Sequence, residues 1–540
     1  MVDDLDEHIE SYCKQWRHVI LLLIMTSTPG IFNAMQISSY VFIVDRPSYW
    51  CDIPELQLVR WNDNMILNVS APSQKKHSDK IEECTYYNRS YSEFAKKGYN
   101  WSMQHLDNAS LIPCKYFNYN TKESVTTEWN LVCNNEVLKS SVQAALALGK
   151  FVGGFFFGLL SDKYGRKYAF NIAAFIYIVS GPSAALFNSY SLFLAARFFI
   201  GIAGAGVYQT AYTISTELTT GKTRTWVCLL LNFSYPTGYV LLAVTAYYIR
   251  PWRSLLLVIS LPLLFMIINC WYLSESPKWL MSQGKKKLAW ATMSKLNPSA
   301  TYAEAEISVL PDVKNEKLKI GRGMFKEWLS TFTSMFSTCD MCAKTTIAYI
   351  CSFVVGLAYY VIALNGDNFT ANRYIYVALN GIVEGIAYVA TIPLLLYVGR
   401  KLATSGLFFA SGILLIVLLV IPKENTDVII TLALLGKFCV SAVFSISLLY
   451  ISEMYPTSIR NTSLGTSLTV AQIGAIAAPY VVEILGAQAW YIPSTVCGLL
   501  SIFVSILILL LPETKGTKLP DTLDDMKISS PVSFTNFCKF

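Results

Sequence analysis

Apolar runs of about twenty residues, the length an α-helix needs to cross the hydrocarbon of a bilayer, recur twelve times in this chain. They begin near Val19, Leu138, Tyr168, Tyr190, Trp226, Trp252, Thr345, Tyr374, Leu402, Val428, Thr462 and Trp490, each bounded by charge or by Pro, Gly or Asn. Over 540 residues, 53% are hydrophobic and 15% charged. That balance excludes a disordered chain, a coiled coil and a nucleic-acid-binding domain, all of which need polar surface along most of their length. The expectation is an all-α membrane protein embedded in lipid, with no nucleic-acid partner.

An even number of spans puts both ends of the chain on one side. Lys163, Arg166, Lys167, Lys222, Arg224, the lysine-rich stretch 285–319, Arg400, Lys401 and Arg460 all fall in alternate loops. Lys and Arg near span ends are retained in the cytoplasm, so these loops and both termini are read as cytoplasmic. The first run follows the hydrophilic residues 1–17 and is too long for a signal-peptide core, so it is read as a retained span.

The large loop 45–137 then lies outside, and its composition agrees. It holds four sequons, at Asn68, Asn88, Asn100 and Asn108, which are glycosylated only if translocated. Asn461 on the cytoplasmic side and Asn232 inside a span are expected bare. Asn368 lies outside, in a short loop close to the membrane, and sequence does not decide it. Of thirteen cysteines, Cys51, Cys84, Cys114 and Cys133 sit in the same loop. Two disulfides are expected there, with three possible connectivities. Cys339 and Cys342 have CxxC spacing but no second pair nearby, and are read as structural rather than as a zinc or redox site.

Charged motifs at the cytoplasmic helix ends recur with a nearly constant offset. Arg166 after Gly165 returns as Arg400 after Gly399, 234 residues on; Glu217 with Arg224 returns as Glu453 with Arg460, 236 on; Glu275 returns as Glu513, 238 on. The domains expected are an N-terminal tail 1–18, a six-helix bundle 19–273 including the loop 45–137, a cytoplasmic linker 274–344, a second bundle 345–511 and a tail 512–540. Parallel six-span halves around a midplane cavity describe a secondary transporter. Asp162, Arg166, Glu217, Arg224, Arg400, Glu453 and Arg460 sit where helices leave the membrane. Pairing of Asp162 with Arg166, Glu217 with Arg224 and Glu453 with Arg460 would latch the halves shut; the other reading is that these charges mark the interface and set topology.

The stretch Gly158-Leu-Leu-Ser-Asp-Lys-Tyr-Gly-Arg-Lys167 resembles the GxxxDxxGRR/K signature of the major facilitator superfamily. Within that superfamily the chain resembles the organic cation, carnitine and organic anion transporter family of solute carriers, as an invertebrate organic cation transporter-like member. The matching segments run in order over nearly the whole chain: residues 49–56, 127–133, 275–280, 436–438, 453–460 and 512–516. The resemblance implies twelve transmembrane helices in two pseudo-symmetric six-helix bundles and a carrier working by alternating access, without a cofactor or bound metal.

Ionisable groups inside a bilayer are costly and usually functional, which singles out Glu384, mid-way along the eighth span. It has no basic partner in its own helix, so a cationic substrate or a basic residue of another helix, such as Lys437, would supply one. By resemblance, position 472 selects charge: cation carriers hold an aspartate there and anion or carnitine carriers an arginine, whereas this chain holds Gln472. The basic residue of many anion carriers one turn after the acidic position is Tyr388 here. With Glu384 and neither of those cations, an anion is disfavoured, leaving a small organic cation or zwitterion as the substrate.

Lys150 lies twelve residues before Asp162 in the second span, about 18 Å up the helix. It would clamp the carboxylate of a zwitterion opposite Glu384, pair with Glu384, or meet neither. By resemblance Tyr235, Tyr359, Tyr360 and Phe444 face the cavity with Asn33 and Gln36, and Tyr208 and Gln209 are further candidates; aromatic faces suit an ammonium group, though helix packing is an equal reading of each ring. A P-loop motif is absent. The four histidines lie in or near the N-terminal tail and outer loop, so a membrane enzyme has no base deep in the bilayer. A plasma-membrane carrier is the expectation, with an organic anion exchanger or a non-transporting receptor as the competing readings.

Overall fold

Each apolar run becomes a helix, because a backbone in hydrocarbon must satisfy its own hydrogen bonds. The computed structural model describes residues 9–45, 47–71, 84–107, 109–120, 124–296, 329–330 and 332–515. Among the described residues, eleven helices are long and apolar enough to cross a membrane: α1 Trp16–Ile43, α2 Cys133–Tyr164, α3 Arg166–Leu186, α4 Tyr190–Glu217, α5 Thr223–Tyr248, α6 Trp252–Tyr272, α7 Cys339–Leu364, α8 Arg373–Tyr397, α9 Arg400–Val417, α10 Thr426–Met454 and α11 Thr462–Gln488. The twelfth, α12 (Ile492–Ile508), is apolar but only 17 residues long, with Pro493 in its first turn. The linker residues 297–328, the tail from 516, the sequon Asn108 and the N-terminal residues 1–8 lie outside the described residues.

Proline marks where the spans deform. Pro262 sits in a tightened turn, Leu261–Leu264, that interrupts α6. Pro479, lacking an N–H to donate, precedes a widened turn at Val481–Leu485 in α11.

The distribution of side chains is inside out relative to a water-soluble protein. Phe175, Trp271, Leu396, Tyr397 and Val420 are largely exposed, while Arg197, Lys437, Glu384, Gln36 and Asn33 are buried. An apolar exterior of this kind is stable only against lipid.

The helix packing of one half recurs in the other. Helix α1 packs on α4 and α5 as α7 packs on α10 and α11; α3 lies against α4 and α6 as α9 lies against α10 and α12. Gly238 and Gly474, 236 residues apart, occupy equivalent places. A Cβ at Gly238 would stand 2.5 Å from the Ile31 carbonyl oxygen of α1, and one at Gly474 would stand 2.4 Å from the Phe353 carbonyl oxygen of α7. Only glycine lets those backbones approach. The halves meet along α5 and α8.

Residues 41–140 form a separate compact unit. Strand β1 (Tyr49–Cys51) pairs antiparallel with β4 (Phe117–Tyr119), and β2 (Thr85–Tyr87) with β3 (Leu111–Pro113), in the registers Tyr49 to Tyr119 and Thr85 to Pro113. Its core is small: Ile53, Leu56, Ile66, Val69, Tyr91 and Phe94, covered by Trp61, Tyr86 and Trp101. So small a core is stabilised by cross-links. Of the three possible connectivities, the structure has Cys51–Cys114 and Cys84–Cys133.

Candidate functional site

Glu384 sits on the face of α8 turned into the protein and is 1% exposed. Both its oxygens are occupied. Tyr388, one helical turn on, donates its hydroxyl to Oε1 at 2.8 Å. Tyr359 of α7 donates to Oε2 at 2.6 Å. Lys437 of α10 brings its Nζ to 3.9 Å from Oε2, and is itself fully buried. Its ammonium lies 2.9 Å from the centroid of the Tyr359 ring and donates to the Tyr359 carbonyl oxygen at 3.3 Å. The pair is therefore an ion pair in which the lysine's hydrogen bond goes elsewhere, so that each carboxylate oxygen keeps acceptor capacity.

The expectation that an anion is disfavoured rested on Glu384 with no counter-charge fixed to it. Of the two partners considered for that carboxylate, the structure supplies Lys437. Rings enclose the pair: Tyr360 at 5.2 Å and Phe444 at 6.1 Å from Tyr359, centroid to centroid. The hydroxyl of Tyr239, in α5, lies 3.1 Å from that of Tyr359. A hydroxyl has one hydrogen, and the Tyr359 hydrogen is given to Glu384, so Tyr239 is the donor. Sequence reading passed over Tyr239. It lies four residues after Tyr235, on the same helical face, and that spacing was the available signal.

Across from this cluster, in the first half, Asn33 Nδ2 donates to the Tyr235 hydroxyl at 2.7 Å, and Tyr208 packs edge-on against Tyr235 at 5.1 Å. Lys150 Nζ lies 5.8 Å from the Tyr235 ring centroid. Among the described residues no carboxylate pairs with Lys150, whereas Tyr208 is close enough to Glu384 to interact electrostatically. Gln472 is half-buried, and its Oε1 meets no partner among the described residues. Gln209 is exposed. Gln36 stands apart from these groups: it is wholly buried, and its amide donates to Ser260 Oγ of α6 at 3.0 Å. That bond fixes it as part of the α1–α6 packing.

Of the three pairings expected at the helix ends, Asp162 with Arg166 forms, while Glu217 and Glu453 pair with other arginines than expected. Arg166 reaches Asp162 at 3.0 Å and Glu217 at 3.0 Å, and Arg400 reaches Glu453 at 3.1 Å. All of these lie within one half. Arg224 is exposed, and Arg460 bonds the Tyr455 carbonyl oxygen at 3.4 Å; neither pairs with a carboxylate among the described residues. The first turns of α3 and α9 explain the preference, because each presents its arginine to the end of the neighbouring helix. The amide of Arg166 donates to Glu275 Oε1 at 2.8 Å and that of Arg400 to Glu513 Oε1 at 2.8 Å. Carboxylates at helix N-termini are stabilised by those free amides.

In the outer unit, Asn68, Asn88 and Asn100 are exposed. Asn368 is 8% exposed, and its Nδ2 is already given to Asn365 Oδ1 at 2.6 Å. That burial and bond leave its amide no room for a glycan.

The sequence pattern of the sugar (and other) transporter family matches residues 87–522. An organic cation transporter protein of Drosophila melanogaster is 28% identical, the match covering 97% of this chain and 94% of that protein. Solute carrier family 22 member 6-A of Xenopus laevis is 32% identical over 75% of this chain and 72% of its own length, and the human organic cation/carnitine transporter 2 is 27% identical over 97% and 94%. Among solved structures, the inward-open xylose transporter XylE of E. coli superposes with a TM-score of 0.57 at 15% identity, covering 94% of this chain and 99% of that one. Such a likeness shows the major facilitator fold. The chain belongs to the sugar (and other) transporter family and, within it, to solute carrier family 22, which makes it a multi-pass membrane transporter and not an enzyme.

Proposed function

We propose that the chain is a plasma-membrane carrier of small organic cations or zwitterions, and that its charge arrangement favours a zwitterion. The relatives whose names specify organic cations and carnitine support the class. The observation that carries the narrower reading is the charge balance near mid-membrane. Glu384 and Lys437 cancel, and Lys150, beside Tyr235 and without a carboxylate partner among the described residues, stands over as positive charge. A substrate that brings both an ammonium and a carboxylate gives Lys150 a local counter-charge while its own ammonium meets Glu384, so that no charged group is left without a partner in a low dielectric. Its ammonium takes the spare acceptor capacity of Glu384 inside the ring of Tyr359, Tyr360 and Phe444, and its carboxylate goes to Lys150.

Alternating access then consists of the two halves rocking about the site, each held rigid at one end by its own charge cluster, Asp162–Arg166–Glu217 and Arg400–Glu453. The lysine and arginine loops support a cytoplasmic position for those ends and both termini. The disulfide-linked unit 41–140 with its exposed sequons lies outside.

Uptake of labelled cations, zwitterions and anions into cells expressing the chain, with and without collapse of the membrane potential, tests this. Zwitterion uptake insensitive to potential and abolished by Lys150→Met is the expected result. Potential-driven cation uptake indifferent to Lys150→Met would reduce the reading to a cation carrier, and preferential anion uptake would overturn it.

A further inference from the structure

Arg197, seven residues into α4, is 0% exposed and is the largest fully buried side chain among the described residues. Its Nη1 donates to the Gln36 carbonyl oxygen at 3.2 Å and to Ser39 Oγ at 3.1 Å, both on α1. Its Nε and Nη2 meet no partner, and no carboxylate pairs with it among the described residues. A guanidinium is always charged and presents five donors. Buried inside a span without a counter-charge, it is the most expensive group in the first half.

The surroundings are polar and equally unfulfilled. Tyr177, on α3, which packs along α4, is a fully buried side chain whose hydroxyl meets no hydrogen-bond partner among the described residues. One turn further along α3, the Ser180 hydroxyl is buried and unpartnered too. Gln36 holds its amide nitrogen on Ser260. A buried charge on α4 bonded only to α1, and two unpartnered hydroxyls on the adjoining α3, thus lie inside the same half. Water would satisfy the hydroxyls but would leave the charge unbalanced; a small anion satisfies both.

We propose that Arg197 holds a monovalent inorganic anion, chloride in a physiological medium, bound by the free Nε and Nη2 donors with the Tyr177 hydroxyl, and that this ion is a structural counter-charge for the first half. Arg197 lies in the first half, whereas Glu384 and Lys437 lie in the second.

The test uses the full-length protein purified in detergent, with thermal unfolding followed while sodium chloride is titrated against sodium gluconate at constant ionic strength. Chloride is expected to raise Tm saturably, as a ligand of the folded state does, and bromide to substitute for it. Tyr177→Phe keeps the ring but removes the hydroxyl and should weaken the half-saturating concentration about tenfold. Arg197→Gln should abolish the saturable response. If Arg197→Gln does not fold, Tyr177→Phe still decides the matter. Identical unfolding in chloride and gluconate would mean that only water is present and would overturn the proposal. A chloride response unchanged in Tyr177→Phe would also overturn it, because the ion would then bind elsewhere.

Discussion

Tyr239 and Tyr359 join the two halves of the molecule by a single hydrogen bond, 3.1 Å between hydroxyls, and Tyr359 passes its own hydrogen to Glu384. The Glu384 carboxylate is in this way wired to the contact between α5 and α7. A bond of this kind contributes about 0.5–1.5 kcal/mol and exists only while the two helices are this close. Tyr239→Phe should therefore shift the balance of carrier conformations about two- to tenfold. The measurement is concentration-dependent uptake: half-saturation and maximal rate should change with surface abundance unaltered, and unchanged kinetics would show that the bond has no part in the cycle.

Glu384 and Lys437 form a buried pair, and such pairs respond asymmetrically to mutation. Removing one partner strands the other charge at a cost of about 3–5 kcal/mol, whereas removing both is nearly neutral. Lys437→Met should lower surface abundance strongly. Glu384→Gln, which can accept from only one of the two phenols and strands Lys437, should lose both abundance and transport. The double variant Glu384→Gln with Lys437→Met should recover abundance and remain inactive. Additive losses of abundance in the double variant would contradict the pairing.

The architecture was largely legible in the sequence, because hydrophobic length and charge at helix ends are local properties. Eleven of the twelve run positions, from Val19 to Thr462, fall on helices, and Trp490 lies in the turn just before α12. The repeat was read from Arg166 and Arg400, while its second sign, Gly238 and Gly474, was not, since an isolated glycine in a span carries no charge to notice. The site was legible in its members but not in its pairings. Glu384, Tyr359 and Lys437 come from three helices separated by a few dozen residues each, and nothing in sequence fixes which face of α10 meets α8. The same limit made Glu217–Arg224 look like a pair: residues seven apart along the chain lie on different helices, and Glu217 turns to Arg166 instead.

Gly165 and Gly399 test whether the carboxylates that close each half are structural. A Cβ at Gly165 would lie 2.3 Å from Glu275 Oε2, and one at Gly399 2.2 Å from Glu513 Oε2. Alanine at either site must push the glutamate off the helix amides it accepts from. Gly165 also has φ of +112°, a conformation L-residues rarely adopt, while Gly399 has an ordinary φ of −67°. Gly165→Ala should lower Tm more than Gly399→Ala, the extra strain costing about 1–2 kcal/mol. Equal effects would remove backbone strain from the account.

The outer unit offers a prediction about covalent chemistry. Its apolar core of six buried side chains is too small to hold about a hundred residues without cross-links. Loss of a native disulfide from such a unit costs about 2–5 kcal/mol, so Cys51→Ser with Cys114→Ser should sharply reduce the amount reaching the cell surface, and Cys84→Ser with Cys133→Ser should do the same. Because these pairings are independent, each single cysteine variant should behave like its double. Glycan removal should speed migration on a gel in the wild type, and the triple variant Asn68→Gln, Asn88→Gln and Asn100→Gln should show most of that change without enzyme treatment. Asn368→Gln should leave the mobility unchanged, because its amide is buried and bonded to Asn365. A mobility shift in Asn368→Gln would place that loop in a more open conformation than the one described.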